Sequence, residues 1–367
     1  MDSKNFNKYK TVADIIEKTF NTLNNLMLPG AKIYDLSSFV DDQILTELNK
    51  TYKNLKKGLA MPTCMSVNNL VCHYHPLKND DYELKSGDIV RIEVAGFIDD
   101  CCVTLGDTIE IETTNLDKKV AQAVLSTGIR LIEPFMEINE FDKLIKKMLE
   151  PHGYYLLQRP YLYQDEDVKL RYDWSRREDG KFLEQSWVVR CDEEIDLEDL
   201  NELSEEKYQK DIKFNIGDIY HLELAISKDN KPCQLSMKEG TLYQKTYKRY
   251  QLKGKFAREL ITDVNKNMHN YLFAIDNLNL AESKAKLGMK ECLNHQVIRN
   301  FGLIEKKNAD VIRLKCSVAI QENSVYILTG KNNILQKIDD IETNKDFLKI
   351  FNKNPKFNKR YQEESSN

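Results

Sequence analysis

The chain has 367 residues, of which 41% are apolar and 31% charged, and a formal net charge of −4. This suits a soluble globular protein with one large core or two to three domains. No apolar run approaches the roughly 20 residues that a bilayer-crossing helix needs, and the near-balanced charge confines any nucleic-acid footprint to a local basic patch.

The first residues, Met1 to Lys10, lack an apolar core followed by a small-residue cleavage site, which leads us to expect a cytoplasmic protein, with the nucleus as the alternative. Apolar residues recur at three and four from Val12 to Leu23, predicting a helix. A second helix is expected from Ser37 to Leu45, opened by capping serines, and Pro29-Gly30 separates the two as a turn. From Ala60 the pattern shortens to β-like runs at 60–67, 89–98 and 101–111, with Asp99-Asp100 as a hairpin turn.

Helices are then expected from Leu116 to Ile132, stopped before Pro134, and from Glu140 to Leu149. The stretch 154–190 is aromatic and mixed, with Ser186 to Arg190 its best strand. An acidic run from Cys191 to Glu206 reads as a solvated loop, and Ile219 to Ile226 as a buried strand. Residues 240–302 are mostly helical, including Phe256 to Phe273 and Leu278 to Ile298. Strands return at Asp310 to Gln321 and Ser324 to Thr329.

There are eight cysteines. None forms a Cys-x-x-Cys pair, and Cys101 and Cys102 are adjacent, which suits neither an ordinary disulfide nor a zinc knuckle. Buried free thiols are the expectation.

Lys57-Gly-Leu-Ala-Met-Pro-Thr-Cys-Met-Ser-Val-Asn-Asn-Leu-Val-Cys-His-Tyr-His-Pro76, followed by Gly87-Asp-Ile-Val-Arg-Ile-Glu93, resembles the substrate-side and first ligand strands of type II methionine aminopeptidases. It is closer still to their relatives, the proliferation-associated or ErbB-receptor-binding proteins. Lys8 to Lys10, Ile219 to Glu223, Tyr250 to Arg258 and Ala285 to His295 agree, so the resemblance covers about residues 8 to 330. It implies an α/β (α+β) pita-bread fold, with two pseudo-equivalent halves around a pocket and a helical insertion. The expected boundaries are a discontinuous core at 1–239 and 303–367 and an insertion subdomain at 240–302.

Working aminopeptidases of this kind hold two divalent metals with two aspartates, a histidine and two glutamates. Several anionic oxygens are needed to keep two dications close together around a bridging water. On the resemblance, those five positions fall in order on Glu93, Thr104, Arg159, Glu223 and Lys315. A shifted register would bring His152 nearer the third position. A threonine hydroxyl replaces a bridging carboxylate poorly, and a lysine ammonium has no lone pair to offer at neutral pH. A degenerate pocket is therefore expected, without metal, cofactor or catalysis, in which Glu93 or Glu223 pairs with Lys315, and with Arg159 if the register holds. His73 aligns with a substrate-contacting histidine; the alternative is a satisfied core or rim histidine.

Tyr243 to Arg258 carries Lys245, Lys248, Arg249, Lys253, Lys255 and Arg258, interleaved with Tyr243, Tyr247 and Tyr250 and without an acid. Such a strip can hold phosphates and stack unpaired bases, or it is a solvated basic face with the tyrosines packed inward. The resemblance favours RNA. Proliferation-associated relatives bind the large ribosomal subunit, through rRNA and ribosomal proteins near the peptide tunnel exit, and a monomer is implied. Two rival functions stay open: a divergent metallo-aminopeptidase using Glu93, Glu223 and a third ligand, and a protein-interaction scaffold that does not bind RNA.

Overall fold

A computed structural model describes residues 3–334 apart from 115, 117, 158–187, 191–212, 247, 269–270 and 323. The expectations at Arg159, Tyr247 and the acidic run, and the part of the expected core beyond residue 334, lie outside the described residues. Helix α1 spans Ser3–Asn24 and α2 Ile33–Asn49. Strands β1 (Lys57–Val67), β2 (Leu70–Cys72), β3 (Ile89–Ile98) and β4 (Cys101–Glu110) follow. Next come α3 (Lys118–Leu131), α4 (Ile138–Leu149), β5 (Tyr155–Leu156), β6 (Val188–Arg190), β7 (Ile219–Ser227), β8 (Gln234–Leu235) and β9 (Leu242–Lys245). The chain continues with α5 (Lys255–Asn267), α6 (Glu282–Asn294), β10 (Ile298–Phe301), β11 (Ile304–Glu305), β12 (Ile312–Ile320) and β13 (Val325–Ile327).

Alternation along the strands divides the main sheet into two faces. Val90, Ile92 and Val94 of β3 pack with Val12, Ile16 and Phe20 of α1 and Val40 and Ile44 of α2. Leu222 and Leu224 of β7, with Leu314 and Cys316 of β12, pack with Val124 of α3 and Phe141 and Ile145 of α4. Each half of the sheet thus buries one apolar face under its own helix pair, each fully buried aliphatic side chain contributing about 1.5–3 kcal/mol. The opposite face carries Arg91, Glu93, Thr104, His221, Glu223, Arg313, Lys315 and Ser317, all buried.

The sheet runs β1-β3-β4-β12-β7-β5, with β13 added to β12 and β6 to β7, and its pairings are antiparallel. β4 and β12 join the two halves. Registers there align Glu93 with Gly106, Gly106 with Lys315, and Lys315 with Glu223. One row of residues therefore crosses four strands at the centre of the molecule.

The expected helices differ at their ends for local reasons. α2 begins at Ile33, and Ser37 Oγ donates to the Tyr34 carbonyl at 2.9 Å, so this serine bonds back inside the helix and caps nothing. α5 stops at Asn267, because Phe273 exchanges both backbone hydrogen bonds with Tyr243, at 2.8 and 2.9 Å. α6 ends at Asn294, since Ile298 pairs with Lys245 in the β9–β10 ladder. Within 240–302, Tyr243, Leu260, Val264, Phe273, Ala285, Met289 and Ile298 form a cluster of their own. Leu242, Tyr271, Leu272 and Phe301 instead join Met61, Cys64, Ala95 and Phe97, seating this segment over the polar face of β1 and β3.

The seven described cysteines, all but Cys191, are buried.

Candidate functional site: a buried charge tetrad

β3, β7 and β12 bring four charged side chains together. Arg313 Nη1 lies 2.6 Å from Glu93 Oε2, and Arg313 Nε donates to Glu223 Oε1, also at 2.6 Å. Lys315 Nζ approaches the remaining oxygens, at 3.5 Å from Glu93 Oε1 and 3.6 Å from Glu223 Oε2. Each carboxylate thus meets the guanidinium through one oxygen and the ammonium through the other, closing a ring of alternating charge with no net charge. None of the four is more than 3% exposed, so each acid needs its cation.

Two local features make the ring possible. Thr108 Oγ1 donates to the Arg313 carbonyl at 2.9 Å and accepts from its N–H at 2.8 Å, fixing the backbone below the guanidinium. Gly106 lies between Glu93 and Lys315 in the row, and a Cβ there would stand 2.8 Å from Lys315 Cβ and 3.2 Å from the Ile92 carbonyl. Its missing side chain leaves room for the lysine stem.

Burial alone would push the Glu93 carboxyl up, but Arg313, then His73 and Lys315, hold it well below the usual carboxylate value. Burial likewise opposes the charge on Arg313, and Glu223 and then Glu93 outweigh it, raising the guanidinium further. His73 is fully buried, and burial lowers its pKa despite the neighbouring Glu93, so the ring is neutral at pH 7. Its Nδ1 sits 3.3 Å and its backbone N–H 3.1 Å from Glu93 Oε2. The N–H is aimed by a left-handed backbone at φ +68°, an unusual conformation for a β-carbon-bearing residue. His221 is pushed down to about 3 by burial and by Lys315, and its Nδ1 lies 2.7 Å from Ser317 Oγ.

Thr104 stands on the same face, apart from the ring. Its N–H donates to Ser317 Oγ at 2.9 Å, and its carbonyl accepts from Ser317 and Thr329 hydroxyls at 3.1 and 2.5 Å. Its own Oγ1 is buried with no hydrogen-bond partner among the described residues. The structure therefore brings together Glu93, Glu223, Lys315 and His73, leaves Thr104 beside them, and adds Arg313. Arg313 was missed by aligning ligand positions; the signal that could have found it is its place two residues before Lys315, on the same face of a period-two strand.

The basic strip divides. Lys245, Lys248 and Arg249 line one cavity with Tyr250 and Asn265, whereas Lys255 and Arg258 share a second hollow with Glu259 and Asp263. Lys253 is exposed. Arg258 Nη1 donates to the Leu252 and Lys253 carbonyls at 3.2 and 2.5 Å, pinning the loop that carries its neighbours. Tyr243 is 5% exposed and packs inward, so it presents no ring for stacking.

The model of metallopeptidase family M24 matches residues 7–240. The chain belongs to that family. This M24 chain is 27% identical over 349 residues to ERBB-3 binding protein 1 of Solanum tuberosum, covering 92% of this chain and 83% of the relative. To proliferation-associated protein A of Dictyostelium discoideum it is 29% identical over 315 residues, covering 82% and 75%. Among solved structures, a thermophilic Arx1 superimposes with a TM-score of 0.73 at 21% identity, over 95% of this chain and 98% of that one. The architecture is the pita-bread fold.

The family's name implies a metal, and the residues at this M24 chain's centre do not fit one. Arg313 and Lys315 occupy the space between the two acids that a dication would need, and each would repel it. Among the described residues, no group of three His, Cys, Asp or Glu side chains is placed to hold a metal ion. No helix among them is long and apolar enough to cross a membrane.

Proposed function

We propose that the chain is a non-catalytic M24 protein that binds the large ribosomal subunit near the peptide tunnel exit, touching rRNA and ribosomal proteins. The observation that carries the loss of catalysis is the Arg313 guanidinium bridging Glu93 and Glu223 at 2.6 Å on each side. A metal-activated water requires open coordination positions on a dication held by anionic oxygens, and here both acids are engaged by cations of the chain itself. Glu93, Glu223, Lys315, His73, Thr104 and Arg159 are in this reading the remnants of a pocket without turnover.

The ribosomal part rests on likeness to proliferation-associated proteins and on the cations Lys245, Lys248, Arg249, Lys253, Lys255 and Arg258. The segment 240–302 serves as an insertion subdomain carrying them, and 1–239 with 303–367 as the core. The protein works as a monomer in the cytoplasm, with the nucleus as a second location. Reversing charge at Lys248, Arg249, Lys253 and Lys255 is expected to abolish co-sedimentation of the purified protein with ribosomes; binding that survives reversal and is insensitive to salt would favour a protein scaffold.

The family name itself favours a second reading, a divergent metallo-aminopeptidase using Glu93, Glu223 and a third ligand. It requires stoichiometric metal and release of N-terminal methionine from a short peptide. Metal analysis with a peptide assay is expected to give neither.

A further inference from the structure

Lys245 of β9, Thr246, residues 248–252, Ile261 and Asn265 of α5, and Val297 line an open hollow of about 570 Å³, a volume within the range of small-ligand sites. Leu252, Ile261 and Val297 give it apolar walls, and Lys245, Lys248 and Arg249 give it positive charge, with no acid among its lining residues. Lys245 Nζ donates to Asn265 Oδ1 at 2.5 Å and Lys248 Nζ to Gln296 Oε1 at 2.7 Å. Both partners are neutral amides, so the two ammonium charges are held in place without being cancelled. The second basic hollow differs in this respect, since Glu259 and Asp263 lie among its cations.

Tyr250 lines the same cavity, and its ring is stacked on His295 at 3.7 Å between centroids and 11° between planes. One face of the ring is covered by the imidazole, which fixes the plane of the other. A fixed aromatic face and uncancelled cations match two parts of a nucleotide: its base and its phosphate. A base inside a duplex has both faces stacked and cannot offer one to Tyr250.

We propose that this cavity receives one unpaired nucleotide of an RNA loop or bulge, its base on Tyr250 and its phosphates on Lys248 and Arg249. This rests on the RNA-binding reading above and sharpens it: the cavity selects single-stranded RNA, while the remaining cations of the strip contribute charge alone.

The test uses the full chain with two RNA probes, one a duplex and one the same duplex with a single bulged 2-aminopurine, so that they differ by one nucleotide and one phosphate. The bulged probe is expected to bind about tenfold more tightly, with quenched 2-aminopurine fluorescence. Tyr250→Ala should remove that preference and the quenching and leave the salt slope unchanged, whereas Tyr250→Phe should keep both. Lys248→Ala with Arg249→Ala should weaken both probes and flatten the salt slope. Equal binding of the two probes, unmoved by Tyr250→Ala but lost with the cations, overturns the nucleotide cavity and spares RNA binding. No binding of either probe at low salt overturns both.

Discussion

Arg313 replaces with one side chain what a metal would do with several ligands: it ties Glu93 to Glu223 across the join between the two halves. Arg313→Ala would leave two buried carboxylates against one ammonium, and urea unfolding at pH 7 is expected to show a loss of about 3–5 kcal/mol. A loss below about 1 kcal/mol would mean that the ring contributes little. Asp41 offers a separate test. Burial raises its carboxyl from 3.8 to about 6, although His75 and Thr63 pull the other way. Between those values the folded chain keeps a proton that the unfolded chain has released, so this group's contribution to stability falls as pH rises through the window. In Asp41→Asn the amide oxygen can still accept from the Thr63 N–H and hydroxyl, bonds of 2.9 and 2.6 Å in the parent. The variant is expected to lose that pH dependence and to gain about 2–3 kcal/mol at pH 7 relative to pH 4. At this scale Glu93, Glu223 and Lys315 were legible, because ligand positions can be aligned one by one. Arg313 was not, because it stands at a position where the metal enzymes need no ligand; only the period-two geometry of the strand places it in the pocket.

Among the elements, β4 and β12 carry the most consequence, because their shared row has a glycine at its middle. Gly106→Ala would drive a methyl against Lys315 Cβ and the Ile92 carbonyl, and overpacking of this kind costs about 1–3 kcal/mol. Thermal unfolding should register it, and an unchanged midpoint would show that β4 and β12 can separate without penalty. The long strands were readable from alternation or from continuous apolar runs, as were α1 from its three-and-four spacing and α3 from its stop before Pro134. The segment 240–302 was read as too helical, because Phe273 and Ile298 look like the last apolar positions of helices. Their backbone groups are claimed by β9, a tertiary pairing that no local pattern announces. The short strands β2, β8 and β11 were missed for the same reason, their hydrogen bonds running to partners distant in sequence.

As a whole, the molecule is two helix-covered half-sheets closed around charges that cancel internally. Its stability should therefore not depend on added metal. The thermal midpoint is expected to be the same in excess EDTA as in added Co²⁺ or Mn²⁺, whereas a bound dication would raise it with concentration. The cysteines, noted above only as buried, give a way to watch the same architecture come apart. Cys101 lies in the cluster under α1 and α2, Cys316 in that under α3 and α4, and Cys64 and Cys102 in that shared with Leu242, Tyr271 and Phe301. Cys292 sits in the cluster of α5 and α6, and Cys72 and Cys233 share the small cluster around β2. Burial raises the Cys233 thiol to about 11 and the Cys292 thiol to about 12, so reaction with a thiol reagent must wait for local opening. With one cysteine kept at a time, labelling rates become a set of clocks, one for each packed region. If α5 and α6 open independently of the sheet, the Cys292 clock will run ahead of the Cys316 clock; if the chain opens as a unit, they will keep the same time.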